Sequence, residues 1–208
     1  GSTVTAVRIG GVKDTECLRT AMAMGADDSI LVESDDNLDS FMTAKALKNA
    51  IEKSGKNPDL IFTGKQAIDS DSLQVPQILA QMLNLPCLSV IVEYNSSESG
   101  LEIKREVEGG AIEVYNVQTP AIFTCNKSLN TPRYASLPGI MKAKKKPFVK
   151  YSLEDVQVSQ DDRKVKFSNY RLPPEKPPGK KFDAVEESDQ GPTVQKVVDL
   201  LMNEAKVL

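Results

Sequence analysis

The stretch from Gly64 to Gln77 reads GKQAIDSDSLQVPQ and gathers a cation, amides, hydroxyls and two carboxylates in one short run. Lys65 offers the positive charge, Gln66, Ser70 and Ser72 offer hydrogen-bond donors, and Asp69 and Asp71 add charge of the opposite sign. The run follows an apolar segment, Asp59 to Thr63, and opens into an amphipathic one, Leu73 to Leu83. That order predicts a strand, a tight polar loop and the start of a helix. At such a junction in an α/β sheet the first N–H groups of the helix point away from the strand ends, where phosphates and other anions bind. The carboxylates pull against a phosphate. Either they turn away to cap the helix and bind ribose hydroxyls, or no phosphate binds and the loop is an ordinary βα turn. The residues alone leave both readings open.

Other chemistry is easier to exclude. Histidine is absent, which removes Ser-His-Asp and Cys-His triads, histidine metal sites and the commonest general base near neutral pH. Cys17, Cys87 and Cys125 are far apart and form no CxxC pair, so they read as reduced, buried thiols in a reducing compartment. No metal site and no catalytic residue is expected. A binding or carrier role gains weight. The 208 residues, 40% hydrophobic and 26% charged, suit an ordinary globular domain with an appendage. A formal charge of −3 carries no global bias toward nucleic acid, and no apolar run approaches the ~18 residues of a membrane helix. Neither nucleic acid nor membrane insertion is expected.

The elements that must position the loop follow from periodicity. Val4 to Ile9 reads as a strand ending at Gly10-Gly11, and Asp14 is placed to cap a helix with Leu18, Ala21 and Met22 on one face and Gly25 as its stop. Ser29 to Glu33 is a second strand. Phe41, Ala44, Leu47 and Ile51 fall at helical spacing between about Asp39 and Lys53. Strand, helix, strand, helix, strand, loop, helix is βαβ order and predicts a parallel sheet with flanking helices. Leu88 to Tyr94 is a further strand. Leu101–Val107 and Ala111–Val117 flank Gly109-Gly110 as an antiparallel hairpin, and Ala121 to Cys125 is a buried strand after Pro120. The fold class is therefore α/β: a mostly parallel sheet with flanking helices and an antiparallel hairpin addition.

Beyond Cys125 the character changes. Asn126 to Pro147 carries three prolines and a basic cluster, Lys142 to Lys146, next to Tyr134, Leu137, Pro138, Ile140 and Met141. A charge run is most often a solvated face. Apolar residues beside it, in a segment expected to be exposed, match the composition of a transient protein-docking site. The lysines have only Tyr134 nearby as an aromatic platform, which argues against nucleic acid. From Tyr151 the chain is polar and then proline-rich, so an extended arm is expected. Pro192 to Val207 follows as an amphipathic helix with Val194, Val197, Val198, Leu201 and Ala205 as its stripe.

GKQAIDSDSLQVPQ, taken with Leu18–Ala26 (LRTAMAMGA) and Pro132–Lys144 (PRYASLPGIMKAK), resembles the β subunit of electron transfer flavoprotein over roughly Val4 to Lys150. The resemblance implies a Rossmann-like, adenine-nucleotide-binding fold that pairs with an α subunit, which carries most contacts to the redox-active FAD. It implies a structural AMP held by Gly64, Lys65, Gln66, Ala67, Ile68, Asp69, Ser70, Asp71, Ser72, Leu73, Gln74 and Val75, with Ile9 as a further contact. It also implies a recognition loop from about Cys125 to Pro147, with Leu137 as apolar anchor and Tyr134, Pro138, Ile140, Met141, Lys142 and Lys145 around it. Lys142 and Lys145 match positions methylated in some relatives. The implied partners are acyl-CoA-type dehydrogenases as donors and a quinone-linked oxidoreductase as acceptor. The implied setting is bacterial cytoplasm, or the mitochondrial matrix in a eukaryote.

Members of the family begin well before Thr3, so residues 3–125 are expected to form an N-terminally incomplete nucleotide-binding core. Residues 126–150 are then the recognition loop, and 151–208 an arm and helix for subunit docking. Two other functions fit the same residues. A bifurcating member would hold a second FAD in place of AMP. A nucleotide-binding module of the universal-stress type would bind ATP and need no α subunit.

Overall fold

The computed structural model describes residues 1–207 apart from Asp36, Asp69, Glu98, Ser99, Lys176, Pro177 and Val185. The chain runs through β1 (Thr5–Gly10), α1 (Thr15–Met24), β2 (Asp28–Glu33), α2 (Ser40–Lys53), β3 (Leu60–Gly64) and α3 (Val75–Leu83). It continues through β4 (Cys87–Ser97), β5 (Gly100–Glu106), β6 (Ile112–Val117), β7 (Ala121–Cys125), α4 (Leu137–Ala143), β8 (Phe148–Ser152) and α5 (Gln190–Leu200). The expected class is present, with parallel strands, flanking helices and the antiparallel β5–β6 hairpin turning at Gly109 and Gly110, both at positive φ. The strands divide into two sheets, however. One is all parallel in the order β1-β2-β8; the other runs β3-β7-β4-β5-β6, parallel through β3, β7 and β4 and antiparallel beyond.

Helix α2 serves both cores. Met42, Ala46 and Ala50, one turn apart, pack with Ile30, Val32, Val156 and Val158. Ala44 faces the other way, against Leu79, Ala80 and Ile122, with Leu47 beside it. The apolar stripe read from the sequence captured the second face and missed the first, because alanines weigh little in a hydrophobicity pattern yet let a helix approach a sheet closely. Phe41, expected in the core, lies half-buried under the Lys164 ammonium, 5.1 Å from its ring centroid.

Helix starts were read with mixed success. Asp39 caps α2, accepting the Met42 N–H at 2.8 Å. Asp14 does not cap α1; its carboxylate pairs with Arg8, whose Nε donates at 2.8 Å. Cys17 is exposed rather than buried, while Cys87 and Cys125 are half-buried and all three thiols are free.

The segment after β8 belongs to the first compact unit, Gly1–Lys166, and the second unit, Phe167–Leu208, begins later than the 151 expected for the arm. Strand β8 adds to the open edge of β2, and Val156 and Val158 are buried at 1% and 4% exposure. Asn49 of α2 donates to the Val156 carbonyl at 2.7 Å. Buried Asp39 accepts the Lys164 and Val165 N–H groups at 2.6 and 2.8 Å. Burial opposes its ionisation, but these donors and the Met42 N–H outweigh it and lower its pKa. In the second unit α5 is followed by a π-helical turn, Leu201–Ala205, with Lys180 paired to Glu204 at 2.7 Å.

Two outcomes follow. Met42→Ala should cost about 2–5 kcal/mol in urea unfolding, the range for a buried methionine, and clearly more than Phe41→Ala. Asp155 takes a hydrogen bond from Lys53 at 2.7 Å and others from Ser152, which lower its pKa from 3.8 to about 2. A depressed folded value means its contribution is present above the unfolded value and is lost as pH falls toward 2. Asp155→Asn should therefore flatten the fall of the urea midpoint across that interval and leave its slope near neutral pH unchanged.

Candidate functional site

Strands β3 and β7 pair in parallel with Gly64 opposite Cys125. Lys65 N–H donates to the Cys125 carbonyl at 3.1 Å and Asn126 N–H to the Ile91 carbonyl at 3.0 Å. The Gly64 loop and the segment after Cys125 thus leave the sheet from one rung. A side chain added at Gly64 would meet no atom within 4 Å, so the space over the strand end is open.

The loop is braced from within. Asp71, at φ 50°, donates its N–H to the Ala67 carbonyl at 2.9 Å and accepts Gln66 Nε2 at 2.6 Å. It does not cap the helix, which sets aside the capping role offered to it above. Asp69 lies outside the described residues. Among the described residues no side chain caps α3, whose first turn contains Pro76, which leaves its first N–H groups available to an anion. Among the described residues the half-buried Lys65 ammonium makes no ion pair. Ile68 is 95% exposed and Leu73 41%, a pair of apolar side chains in a polar loop. Ala67, Ser70 and Gln74 are exposed and Ser72 half-buried. Ile9 lies near the end of β1 in the other sheet, half-buried against the Ile30–Val32 cluster.

One feature of this corner has no sequence signal. Val90 sits at φ 62° where the β4 register shifts, a conformation that costs a β-branched residue about 1–3 kcal/mol. Its N–H donates to the buried Thr124 hydroxyl at 2.8 Å, and the adjacent Ser89 accepts Gln77 Nε2 at 3.0 Å. The bulge so fixed ties β4 to the start of α3 at the base of the loop. Burial raises the pKa of Cys125 beside it, which keeps that thiol protonated.

The second group forms a helix rather than a loop. Ser136 caps α4 by accepting the Gly139 N–H at 3.2 Å, and Pro138 occupies the first turn. Leu137 and Met141, one turn apart, are 73% and 65% exposed, and Tyr134 is 97% exposed. Lys142, Lys144 and Lys145 are exposed and without ion pairs among the described residues. Lys146 is different. Its ammonium donates to the Met22 and Ala26 carbonyls at the end of α1, at 2.9 and 2.6 Å. Arg19 of α1 answers by donating to the Ala143 and Lys146 carbonyls at 2.6 and 3.3 Å, with its guanidinium 5.0 Å from the Phe148 ring. Each helix end thus receives a cation from the other element, which suits the negative C-terminal ends of both. Gly139 allows the contact, since a Cβ there would stand 2.5 Å from the Ala23 carbonyl oxygen. Sequence reasoning grouped Lys146 with its neighbours because nothing local separates them.

The electron transfer flavoprotein domain model matches residues 1–156. The electron transfer flavoprotein subunit beta of Bacillus subtilis is 38% identical over all of this chain and 80% of its own length. The chain belongs to the electron transfer flavoprotein β-subunit family. Other family members agree: the mitochondrial electron transfer flavoprotein subunit beta of Arabidopsis thaliana is 39% identical over 99% of this chain and 77% of its own length, and the electron transfer flavoprotein subunit beta of Dictyostelium discoideum is 37% identical over 88% and 72%. The match to the Bacillus protein extends through the second unit, which the family model does not reach.

The contrast between the lysines is measurable. Lys146→Met should lose about 1.5–3 kcal/mol of stability, as expected for hydrogen bonds from a charged donor, whereas Lys142→Met should stay within about 0.5 kcal/mol of wild type.

Proposed function

We propose that this chain is the adenylate-holding, partner-docking subunit of a heterodimeric electron carrier. It pairs with an α subunit that supplies most contacts to FAD, takes electrons from acyl-CoA-type dehydrogenases and passes them to a quinone-linked acceptor. The carrying observation is an open loop suited to a nucleotide that leaves the sheet from the same rung as the segment leading to α4, whose exposed apolar knob lies among lysines unpaired among the described residues.

The loop residues fit AMP. Lys65 and the uncapped N–H groups of α3 suit its phosphate, Ser70 and Ser72 its ribose, and Ile68 and Leu73 its base. Asp71 is engaged with Gln66 and does not oppose the phosphate from the helix start. The flavin, when bound, carries the electrons. This chain's residues hold and orient, which is consistent with the absence of histidine and calls for no proton donor of its own. Leu137 and Met141 offer a small apolar contact for specificity, and Lys142, Lys144 and Lys145 steer encounter with an acidic partner.

In the heterodimer with its α subunit, Leu137→Ala should lower kcat/KM for reduction by an acyl-CoA-type dehydrogenase by about tenfold or more, the effect of removing an anchor side chain. Flavin content should stay unchanged. An unaltered rate would remove Leu137 from the docking contact.

A further inference from the structure

The apolar knob at Leu137 stands beside a cleft. Helices α1 and α4 diverge around a space of about 370 Å³, lined by Thr20 and Ala23 on one side and Ala135, Ile140 and Ala143 on the other, with Arg19 and Lys144 completing the lining. Its walls are fixed by the reciprocal contacts of Arg19 and Lys146 and by the close approach of Gly139 to Ala23. The cleft is therefore a built feature of the helix pair and does not close by a small shift of α4.

Its chemistry restricts what it takes. The lining is chiefly alkyl, and two of its polar groups are engaged: the Thr20 hydroxyl donates to the Glu16 carbonyl at 2.9 Å and Arg19 Nη1 donates to α4. What remains is the Lys144 ammonium and the rest of the Arg19 guanidinium, which are donors only, so the lining pairs alkyl surface with positive charge. Of the lining residues Arg19 and Lys144 are cationic and none is anionic, and Lys142 and Lys145 of the same segment are exposed and, like Lys144, unpaired among the described residues. The one carboxylate of α1, Glu16, lies a turn before Thr20.

We infer that α1 and α4 form a socket beside the Leu137 knob, which receives an apolar side chain from an acidic segment of the docking dehydrogenase. The inference rests on the docking reading of α4 given above and adds α1 to that surface. Docking is then two-way: the knob enters the partner and the partner enters the socket. The charge around the cleft selects an occupant flanked by Asp or Glu over a neutral or basic one.

The test uses the intact heterodimer and two substitutions at Thr20, an exposed helix position where folding is tolerant. Thr20→Met fills the opening and Thr20→Glu reverses its charge. Each should raise KM for an acyl-CoA-type dehydrogenase about fivefold or more, as expected for loss of an interface pocket, with kcat, flavin content and reduction by dithionite unchanged. Unchanged KM in both, alongside a raised KM in Leu137→Ala, would overturn the socket and leave the docking reading intact. Unchanged KM in all three would overturn both. Loss of the α subunit on purification of the Thr20 variants would assign the cleft to the subunit interface and also overturn the proposal.

Discussion

The parallel pairing of β3 with β7 is the constraint on which the rest of the molecule depends. Parallel neighbours end at the same side of a sheet, so whatever follows each strand must emerge there. Here the rung is Gly64 opposite Cys125, tied by the Lys65 N–H to the Cys125 carbonyl. The candidate nucleotide loop follows one strand and the candidate docking segment follows the other. Two stretches more than fifty residues apart in sequence therefore share a root, without contact between their functional side chains being required. The buried Thr124 hydroxyl strengthens that root by holding Val90 in its left-handed conformation.

From the same root the chain reaches α4, and there a second principle takes over. A short helix of seven residues has little stability of its own, so its orientation must come from what it packs on. The cations of Arg19 and Lys146, placed at opposing helix ends, provide this together with the close contact at Gly139. One lysine of the basic cluster is thereby spent on architecture and three are left facing solvent. An apolar pair held on a fixed helix loses less entropy on association than the same pair on a loose loop.

How much of this was legible beforehand depends on whether the signal was local. β7 is bounded by Pro120 and Asn126 and appears as Ala121–Cys125, as its apolar run indicates. The Gly109-Gly110 turn was equally plain, because only the required backbone conformation favours two glycines there. β8 was not legible. Its five residues sit between a lysine cluster and a polar stretch, and their partner β2 lies more than a hundred residues earlier. Val156 and Val158 were lost for the same reason, and the boundary of the first unit moved with them to Lys166. In the candidate site, the loop and the exposed knob could be read from composition. The Val90 bulge, the Asp71–Gln66 brace and the separate duty of Lys146 could not, since each is a hydrogen bond whose partner the local sequence does not name.

The central claim is that the Gly64 loop holds an adenylate within an electron-carrying heterodimer. It is tested most directly by mass spectrometry of the small molecules released from the purified complex with its α subunit. The account predicts AMP and FAD in equal amounts. FAD without AMP, or ATP in its place, would contradict it.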